Sequence, residues 1–184
     1  MYLTFYEGTI DATGDELDNV LTGNIENNDI DGLDGDDTLY GGGGNDTLAG
    51  GAGHDLLLGG SGNDIFMWGG ADTIKGDSGT DTLQVSGAGV VLDLPSIAGA
   101  QIHGVEVIKI NGSGDNTLIL NVQEVLNISG TSDTLRVAGD AGDVVHRGDG
   151  WTQGEDQLIG ANLYATYTQG DATLLVDTDV LCVI

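Results

Sequence analysis

The chain has 184 residues and carries 30 Asp and Glu against 4 Lys and Arg, a formal net charge of −26. This balance argues against nucleic acid and against an anionic membrane surface as partners, because both would repel the chain. No run approaches the roughly 20 apolar residues of a membrane-spanning helix, so we expect no membrane insertion. The 33 glycines make folding costly in backbone entropy.

Residues 1–13 predict a short lead-in strand, with apolar side chains at Leu3 and Phe5. The segment lacks the basic region that opens a secretory signal peptide, so we do not expect a cleavable leader here. The length predicts one or two domains.

A nine-residue pattern, GGxGxDxUx with U a large apolar residue, dominates the next part of the chain. Four consecutive segments carry it: GLDGDDTLY (32–40), GGGGNDTLA (41–49), GGAGHDLLL (50–58) and GGSGNDIFM (59–67). An eight-residue variant, WGGADTIK (68–75), and a further nonapeptide, GDSGTDTLQ (76–84), follow. A flexible glycine-rich linker is the alternative, but a linker would not keep Asp and Leu in phase through four nonapeptides.

Each nonapeptide predicts one tight turn and one short strand. Glycines at positions 1, 2 and 4 allow a sharp turn through positive φ and leave the carbonyl groups bare. The strand points its central side chain inward, so two nonapeptides make one coil of a flattened roll. Leu39, Leu57 and Ile74 should then stack in one sheet, and Leu48, Phe66 and Leu83 in the other.

The aspartate at position 6 and the bare carbonyls are hard oxygen ligands, which suit Ca²⁺. We expect about four ions, each between two turns that lie about eighteen residues apart: 32–40 with 50–58, 41–49 with 59–67, 50–58 with 68–75, and 59–67 with 76–84. The candidate ligands occupy positions 1, 3 and 6: Gly32, Asp34, Asp37, Gly41, Gly43, Asp46, Gly50, Ala52, Asp55, Gly59, Ser61, Asp64, Asp72 and Asp81.

This nonapeptide is similar to the calcium-binding repeat of the RTX (repeats-in-toxin) proteins. The resemblance implies an all-β fold in which a calcium-bound parallel β-roll over residues 14–84 is followed by a β-rich C-terminal unit over 85–184. Several Ca²⁺ ions are the implied cofactor.

The two ends of the roll depart from the pattern. GDELDNVLT (14–22) and GNIENNDID (23–31) keep the leading glycine and the inward apolar residue, but carry Asn19 and Asn28 in place of Asp. We interpret them as capping turns, in which a neutral amide oxygen gives a weak or empty calcium site. Asp72 lies in the shortened segment and is a less secure ligand than Asp46 or Asp64.

The nonapeptide phase is lost after Val85, and short β-rich runs follow. They are VVLDL (90–94), VEVIKI (105–110), TLILNV (117–122), DTLRVAG (133–139), LYATY (163–167), ATLLV (172–176) and VLCVI (180–184). A short helix is expected at 122–128, capped by Asn121 with Glu124 in the capping-box position. This half should cover four outward apolar side chains of the roll, Leu56, Leu58, Ile65 and Met67, for which an external partner is the alternative cover. It should also cap the sheet edge near Leu83.

Five further phrases, GADTIKGDSGTDTLQVSG, GVEVIKINGSGDNTLIL, SDTLRVAGDAGDVV, GWTQGEDQ and YTQGDATLLVDTDV, resemble the C-terminal end of large bacterial RTX adhesins. That resemblance implies export by a type I secretion ABC transporter, a signal for it in the last residues, and a secreted protein at the bacterial cell surface. We expect a monomer.

No catalytic constellation is expected, because every well-phased carboxylate already has a calcium role. His54, His103 and His146 lack metal-ligand spacing, and no lysine follows Gly41–Gly44 as a phosphate-binding loop would need. Two alternatives stay open: an accessory roll of a secreted enzyme, or a glycan- or ligand-binding module using Trp68 and Trp151. Cys182 is the only cysteine, so it cannot form an internal disulfide.

Overall fold

The computed structural model describes residues 8–97, 101–130 and 132–184. They fall into two compact units, one of residues 8–84 with 101–105 and one of residues 85–97 with 106–184. Of the predicted lead-in strand, residues 1–7 lie outside the described residues, and Asp11–Thr13 forms the first strand, β1.

The first unit consists of two parallel sheets, and successive strands alternate between them. One sheet has the order β1, β3 (Asp29–Asp31), β5 (Thr47–Ala49), β7 (Ile65–Met67) and β9 (Thr82–Gln84). The other has the order β2 (Val20–Thr22), β4 (Thr38–Gly43), β6 (Leu56–Ser61), β8 (Thr73–Ser78) and β11 (Ile102–His103). The predicted parallel β-roll is therefore confirmed.

The register places the inward residues in two columns, as the sequence predicts. Leu39 pairs with Leu57 and Leu57 with Ile74, while Phe66 pairs with Leu48 on one side and Leu83 on the other. All six side chains are fully buried. This core is one apolar residue per strand, so each strand contributes about 1.5–3 kcal/mol of burial and no strand is stable alone.

The capping segments continue the same columns, since Leu21 pairs with Leu39 and Ile30 with Leu48. Leu56, Leu58, Ile65 and Met67, which point away from the core, are half-buried rather than exposed. That residues after Val85 cover these outward side chains stays a prediction.

The second unit also alternates between two sheets. One sheet contains the parallel strands β12 (Val107–Lys109), β14 (Thr134–Ala138) and β19 (Ala172–Asp177), continued by the antiparallel strands β18 (Asn162–Gln169), β16 (Thr152–Gln153) and β17 (Gln157–Ile159). The other is parallel throughout, in the order β10 (Val91–Asp93), β13 (Thr117–Ile119), β15 (Val144–His146) and β20 (Leu181–Val183).

All seven strands that the sequence predicts after Val85 are present, and so is the helix. Helix α1 spans Val122–Ile128, and its capping box of Asn121 and Glu124 is complete. A 3₁₀ turn at Leu94–Ser96 follows β10. In the described residues no helix is long and apolar enough to cross a membrane.

The sequence did not predict that the second unit winds like the first. Its coils are longer: hydrogen bonds between neighbouring turns join residues 26 or 27 apart, against 18 or 17 in the first unit. Strands β11, β15, β16 and β17 were also missed, because they have two or three residues and no alternating pattern.

Candidate calcium sites

The sixth-position side chains form a ladder of hydrogen bonds along the roll. The backbone N–H of Asp46 donates to Oδ1 of Asp64 at 2.8 Å, and the N–H of Asp37 donates to Oδ1 of Asp55 at the same distance. The N–H of Asp64 donates in turn to Oδ1 of Asp81. One oxygen of each carboxylate therefore fixes its turn to the turn before it.

The second oxygen of these carboxylates has a different environment. Oδ2 of Asp37, Asp46, Asp55 and Asp64 is buried and accepts no hydrogen bond. Each of the four side chains is at most 2% exposed. A buried ionised oxygen without a donor is costly, so a cation is the natural partner for each.

Beside Gly32 and Gly41, two of the first-position glycines, two oxygen atoms closely approach the point where a side chain would begin, and we call this arrangement the first-position pocket. At Gly41 it is bounded by Oδ2 of Asp46 and the carbonyl oxygen of Gly59, and at Gly32 by Oδ2 of Asp37 and the carbonyl oxygen of Gly50. A Cβ atom on either glycine would overlap these oxygens. The pocket thus needs glycine and brings together an aspartate and a carbonyl from turns eighteen residues apart.

The three glycines of a nonapeptide have two separate roles, which corrects the expectation that all three turn through positive φ. Gly42 and Gly44, at positions 2 and 4, have φ of 109° and 94°. Gly41 is not among the residues with positive φ. The first glycine is required by the close approach of oxygen atoms, not by its backbone angle.

The third-position candidates, Asp34, Gly43, Ala52 and Ser61, lie in backbone pairing between neighbouring turns. Asp34 forms a bridge with Ala52, and Gly43 pairs with Ser61. The carbonyl oxygen of Ala52 accepts from the N–H of Gly35 at 2.9 Å. These residues set the spacing of the turns, and their role as ligands stays a prediction.

The donor set fits calcium. No group of three or more His, Cys, Asp or Glu side chains converges on one point within the described part of the chain. A cation in a first-position pocket would therefore take backbone carbonyls in addition to one or two carboxylates, all of them hard oxygens. Calcium accepts six to eight such oxygens in flexible geometry, whereas magnesium demands a near-ideal octahedron.

The capping turns satisfy their sixth-position side chains without an ion. Oδ1 of Asn28 accepts from the N–H of Asn24 at 2.7 Å, and its Nδ2 donates to Oδ1 of Asn24. Asn19 makes the same two bonds with Asp15. The amide supplies both a donor and an acceptor, so these turns close by themselves, in keeping with a capping role.

The shortened turn holds Asp72 in a distorted version of the site. The N–H of Asp55 reaches Oδ1 of Asp72 at 3.3 Å, and Oδ2 of Asp72 accepts from the N–H of Gly69 at 3.3 Å. The carbonyl facing Asp72 at Gly69 is that of Gly51, in the preceding coil. Missing one residue, this turn cannot present its first position as the complete nonapeptides do.

Burial disfavours the ionised form of these aspartates when no cation is bound. It raises the pKa of Asp46 to about 6, against the opposing hydrogen bond from Asn28, and the charge of Asp64 raises it further. Burial likewise raises the pKa of Asp37, Asp64 and Asp72, the last to about 6 with a contribution from Asp55. The sites are therefore built for a positive charge that the protein does not supply.

The second unit has equivalents of the sixth position that sequence reasoning missed. The N–H of Asn116 donates to Oδ1 of Asp143 at 2.8 Å, as in the roll. Oδ2 of Asp143, however, accepts from the N–H of Asp140, and a methyl group of Val180 fills the space beside Gly139. A methyl group is thus the nearest neighbour of Gly139, whereas the two nearest atoms at Gly32 and Gly41 of the roll are oxygens. The signal was the G-x₃-D spacing of GDAGD (139–143), one residue shorter than a nonapeptide turn.

His54, Cys182 and Trp151 each have contacts within the protein. His54 is exposed, its N–H donates to Oδ1 of Asp36, and its Nδ1 lies 3.3 Å from the carbonyl oxygen of Ala71. Burial raises the pKa of the Cys182 thiol, against the opposing effects of Tyr167 and Arg147. Trp151 donates from Nε1 to the carbonyl of Arg147 at 2.8 Å.

Comparison with known proteins agrees with this geometry. The sequence model of the RTX calcium-binding nonapeptide repeat, which spans four copies, matches residues 13–48, 40–67 and 68–85. A search of curated proteins found no match. RTX repeats are structural calcium-binding modules, and proteins that carry them are typically secreted. Residues 13–85 of this chain therefore form a region of RTX calcium-binding nonapeptide repeats, and Ca²⁺ is the ion that such repeats bind.

Proposed function

We propose that this chain is a calcium-dependent folding module at the export end of a secreted bacterial adhesin, unfolded where calcium is scarce and folded where it is abundant. The observation that carries the proposal is the set of buried Oδ2 atoms without a hydrogen-bond partner at Asp37, Asp46, Asp55 and Asp64. Each unsatisfied buried acceptor costs about 1–3 kcal/mol, and more when it is charged. Without cations, every complete turn of the roll therefore lowers the stability of the folded state.

The composition of the chain further lowers the stability of the metal-free folded state. A net charge of −26 makes the compact metal-free chain repel itself, and 33 glycines raise the entropy lost on folding. The core of the roll offers one buried apolar residue per strand. A chain with this composition needs bound cations to make the folded state the more stable one.

Calcium at extracellular concentrations is sufficient to make the folded state more stable than the unfolded state. Calcium-binding modules that work outside the cell have dissociation constants of about 10⁻⁴–10⁻³ M. A site at about 100 times its dissociation constant adds roughly 2.7 kcal/mol to the free energy of unfolding. Several such contributions decide the state of a domain whose total stability is about 5–15 kcal/mol.

Far-ultraviolet circular dichroism during a calcium titration tests the proposal on the full chain. Starting from calcium-depleted protein, we expect a disordered spectrum that becomes β-rich cooperatively on adding calcium, with magnesium at equal concentration much less effective. A complete β spectrum in excess chelator, unchanged by calcium, would overturn the proposal.

The export part of the proposal concerns the type I secretion ABC transporter as partner and the last residues as its signal. Deleting residues 177–184 should abolish secretion from a cell that carries the transporter. Because this deletion also removes strand β20, a matched control is needed. Val145→Asp, at the buried centre of β15, should disrupt the second unit and still be exported, since the transported chain is unfolded. Normal export of the truncated chain would place the signal elsewhere.

Two further parts of the proposal have direct checks. Neighbouring genes for an ABC transporter and its membrane-fusion partner would support the adhesin and export setting. The folded chain should elute as a monomer in calcium-containing size-exclusion chromatography, and a stable dimer there would contradict that expectation.

A further inference from the structure

The segment Gln101–Gly104 imitates the end of a nonapeptide although it lies outside the repeats. Ile102 pairs with Ile74 and His103 with Lys75, so strand β11 continues the sheet after β8 in parallel register. Ile102 is 5% exposed and occupies the inward column. QIHG (101–104) thus aligns with TIKG (73–76), and Gly104 stands where the next turn would place its first glycine.

The carbonyl group of Gly104 completes a first-position pocket. A Cβ atom built on Gly76 would overlap the carbonyl oxygen of Gly104 and Oδ2 of Asp81. At Gly41, within the repeats, the corresponding atoms are the carbonyl oxygen of Gly59 and Oδ2 of Asp46. Both places bring a glycine carbonyl oxygen and one carboxylate oxygen against the first glycine, although Gly104 has a positive φ of 66° and Gly59 does not.

Two comparable spaces in the second unit are closed by protein atoms. The carbonyl oxygen of Gly87 lies beside Gly112, where the nearest side-chain atom is the amide nitrogen of Asn116. Beside Gly139 the nearest atom is a methyl carbon of Val180, and Oδ2 of Asp143 lies next to it. At Gly76 the nearest atoms are two oxygens, a combination that attracts a cation.

We propose that Asp81 and the carbonyl group of Gly104 bind one further Ca²⁺ beside Gly76, beyond the sites that lie between nonapeptides. The proposal rests on calcium binding by the roll. Its consequence is that residues 101–105, which follow the last nonapeptide by a stretch of unrelated sequence, are held to the roll by an ion as well as by strand pairing. Calcium then helps to hold β11, the last strand of this sheet, beside β8.

Anomalous diffraction at long wavelength from crystals of the calcium-loaded full chain tests this directly. We expect a calcium peak about 2.3–2.6 Å from both the Gly104 carbonyl oxygen and Oδ2 of Asp81. The pocket at Gly41 serves as the internal reference. A peak at Gly41 with none at Gly76 would overturn this inference alone, whereas no peak at either would contradict calcium binding by the roll itself.

Native mass spectrometry gives the matching measurement in solution. Gly76→Ala should fill the pocket and bind one calcium ion fewer than the unmodified chain, while Gly112→Ala, its counterpart in the second unit, should bind the same number. If Gly76→Ala fails to fold, Asp81→Asn keeps the shape and the Oδ1 acceptor, and its crystals should lose the calcium peak beside Gly76 while they keep the peak beside Gly41. An unchanged ion count in a folded Gly76→Ala chain would overturn the inference.

Discussion

The backbone N–H of Asp46 donates to Oδ1 of Asp64, eighteen residues later, at 2.8 Å. The same carboxylate leaves Oδ2 buried and without a donor. One side chain therefore joins two coils through one oxygen and offers the other to a cation. Because the same bond recurs between Asp37 and Asp55, a change at one aspartate affects both the ladder and the ion, and substitutions must separate the two effects.

Substitution by asparagine separates the hydrogen bond between coils from cation binding, because asparagine keeps Oδ1 as an acceptor and removes the charge. Asp64→Asn should weaken calcium binding by roughly tenfold or more, about 1.4 kcal/mol, since Asp64 lies in a complete nonapeptide. Asp72→Asn should cost less, because the bond from Asp55 is 3.3 Å long and Oδ2 of Asp72 already has a partner in Gly69. Isothermal titration calorimetry measures both.

The matched control is Asp149→Asn, a carboxylate outside the ladder that removes the same charge from an exposed position. It should leave the titration nearly unchanged. Equal losses at Asp64 and Asp72 would mean that the shortened turn binds calcium as well as a complete one does.

Core packing and calcium binding should be coupled. Phe66 is fully buried and is the largest residue of the inward columns, so Phe66→Ala should cost about 3–5 kcal/mol. Since folding and binding occur together, the loss should appear as a higher calcium concentration at the folding midpoint in circular dichroism. Leu17→Ala, at a residue 69% exposed, is the control and should leave the midpoint in place.

The roll could be predicted almost residue by residue, because a strict period fixes the register. Once Leu39 and Leu57 hold the same position of two nonapeptides, their pairing follows. The second unit could not be predicted to this depth. Its coils vary in length, so Leu118 and Val145 pair without a shared period. The reason for glycine at position 41 could not be predicted either. The structure shows that Gly41 is needed for a close contact with oxygen atoms and not for a positive φ, and a sequence does not distinguish these two reasons.

The metal-free chain should gain structure on mild acidification. The pKa of Asp46 and of Asp72 is about 6 in the folded protein against an ordinary value of 3.8. Between these values the folded state binds more protons than the unfolded state, so the free energy of unfolding falls as pH rises from about 4 to 6. Circular dichroism of resin-depleted protein should show more β structure at pH 4.5 than at pH 7.5.

Calcium should reverse this dependence, because protons and calcium compete for the same carboxylates. At saturating calcium near neutral pH the chain should be folded, and its calcium affinity should fall as pH drops through about 6. Asp46→Asn should flatten the metal-free profile. A metal-free chain that loses structure steadily from pH 7.5 to 4.5 would contradict the assignment.

Leu33 stands at a second position, where the chain requires positive φ. Its φ is 78°, while Gly42 and Gly60 at the same position have 109° and 104°. A left-handed conformation costs a leucine about 1–2 kcal/mol, and glycine in the unfolded chain costs about 0.5–1 kcal/mol in entropy. Leu33→Gly should therefore raise the melting temperature slightly in calcium, whereas Leu17→Gly, where φ is not positive, should lower it.

The stability of the second unit should depend on apolar packing, whereas the stability of the roll depends on the charge of its aspartates. Val180 is 6% exposed, and its methyl group fills the space beside Gly139. Val180→Ala should destabilise this unit by about 1–3 kcal/mol through lost burial and the cavity left behind. Hydrogen exchange at the amide of Val145, in the buried strand β15, reports the loss without relying on the roll.

The number of bound calcium ions should be the same in Val180→Ala as in the unmodified chain, because Oδ2 of Asp143 keeps its bond from the N–H of Asp140. Val91→Ala, at a residue 60% exposed, is the control and should leave exchange at Val145 unchanged. An additional ion bound by Val180→Ala would show that the hydrocarbon alone keeps calcium out, and that this turn retains a binding site beneath its methyl group.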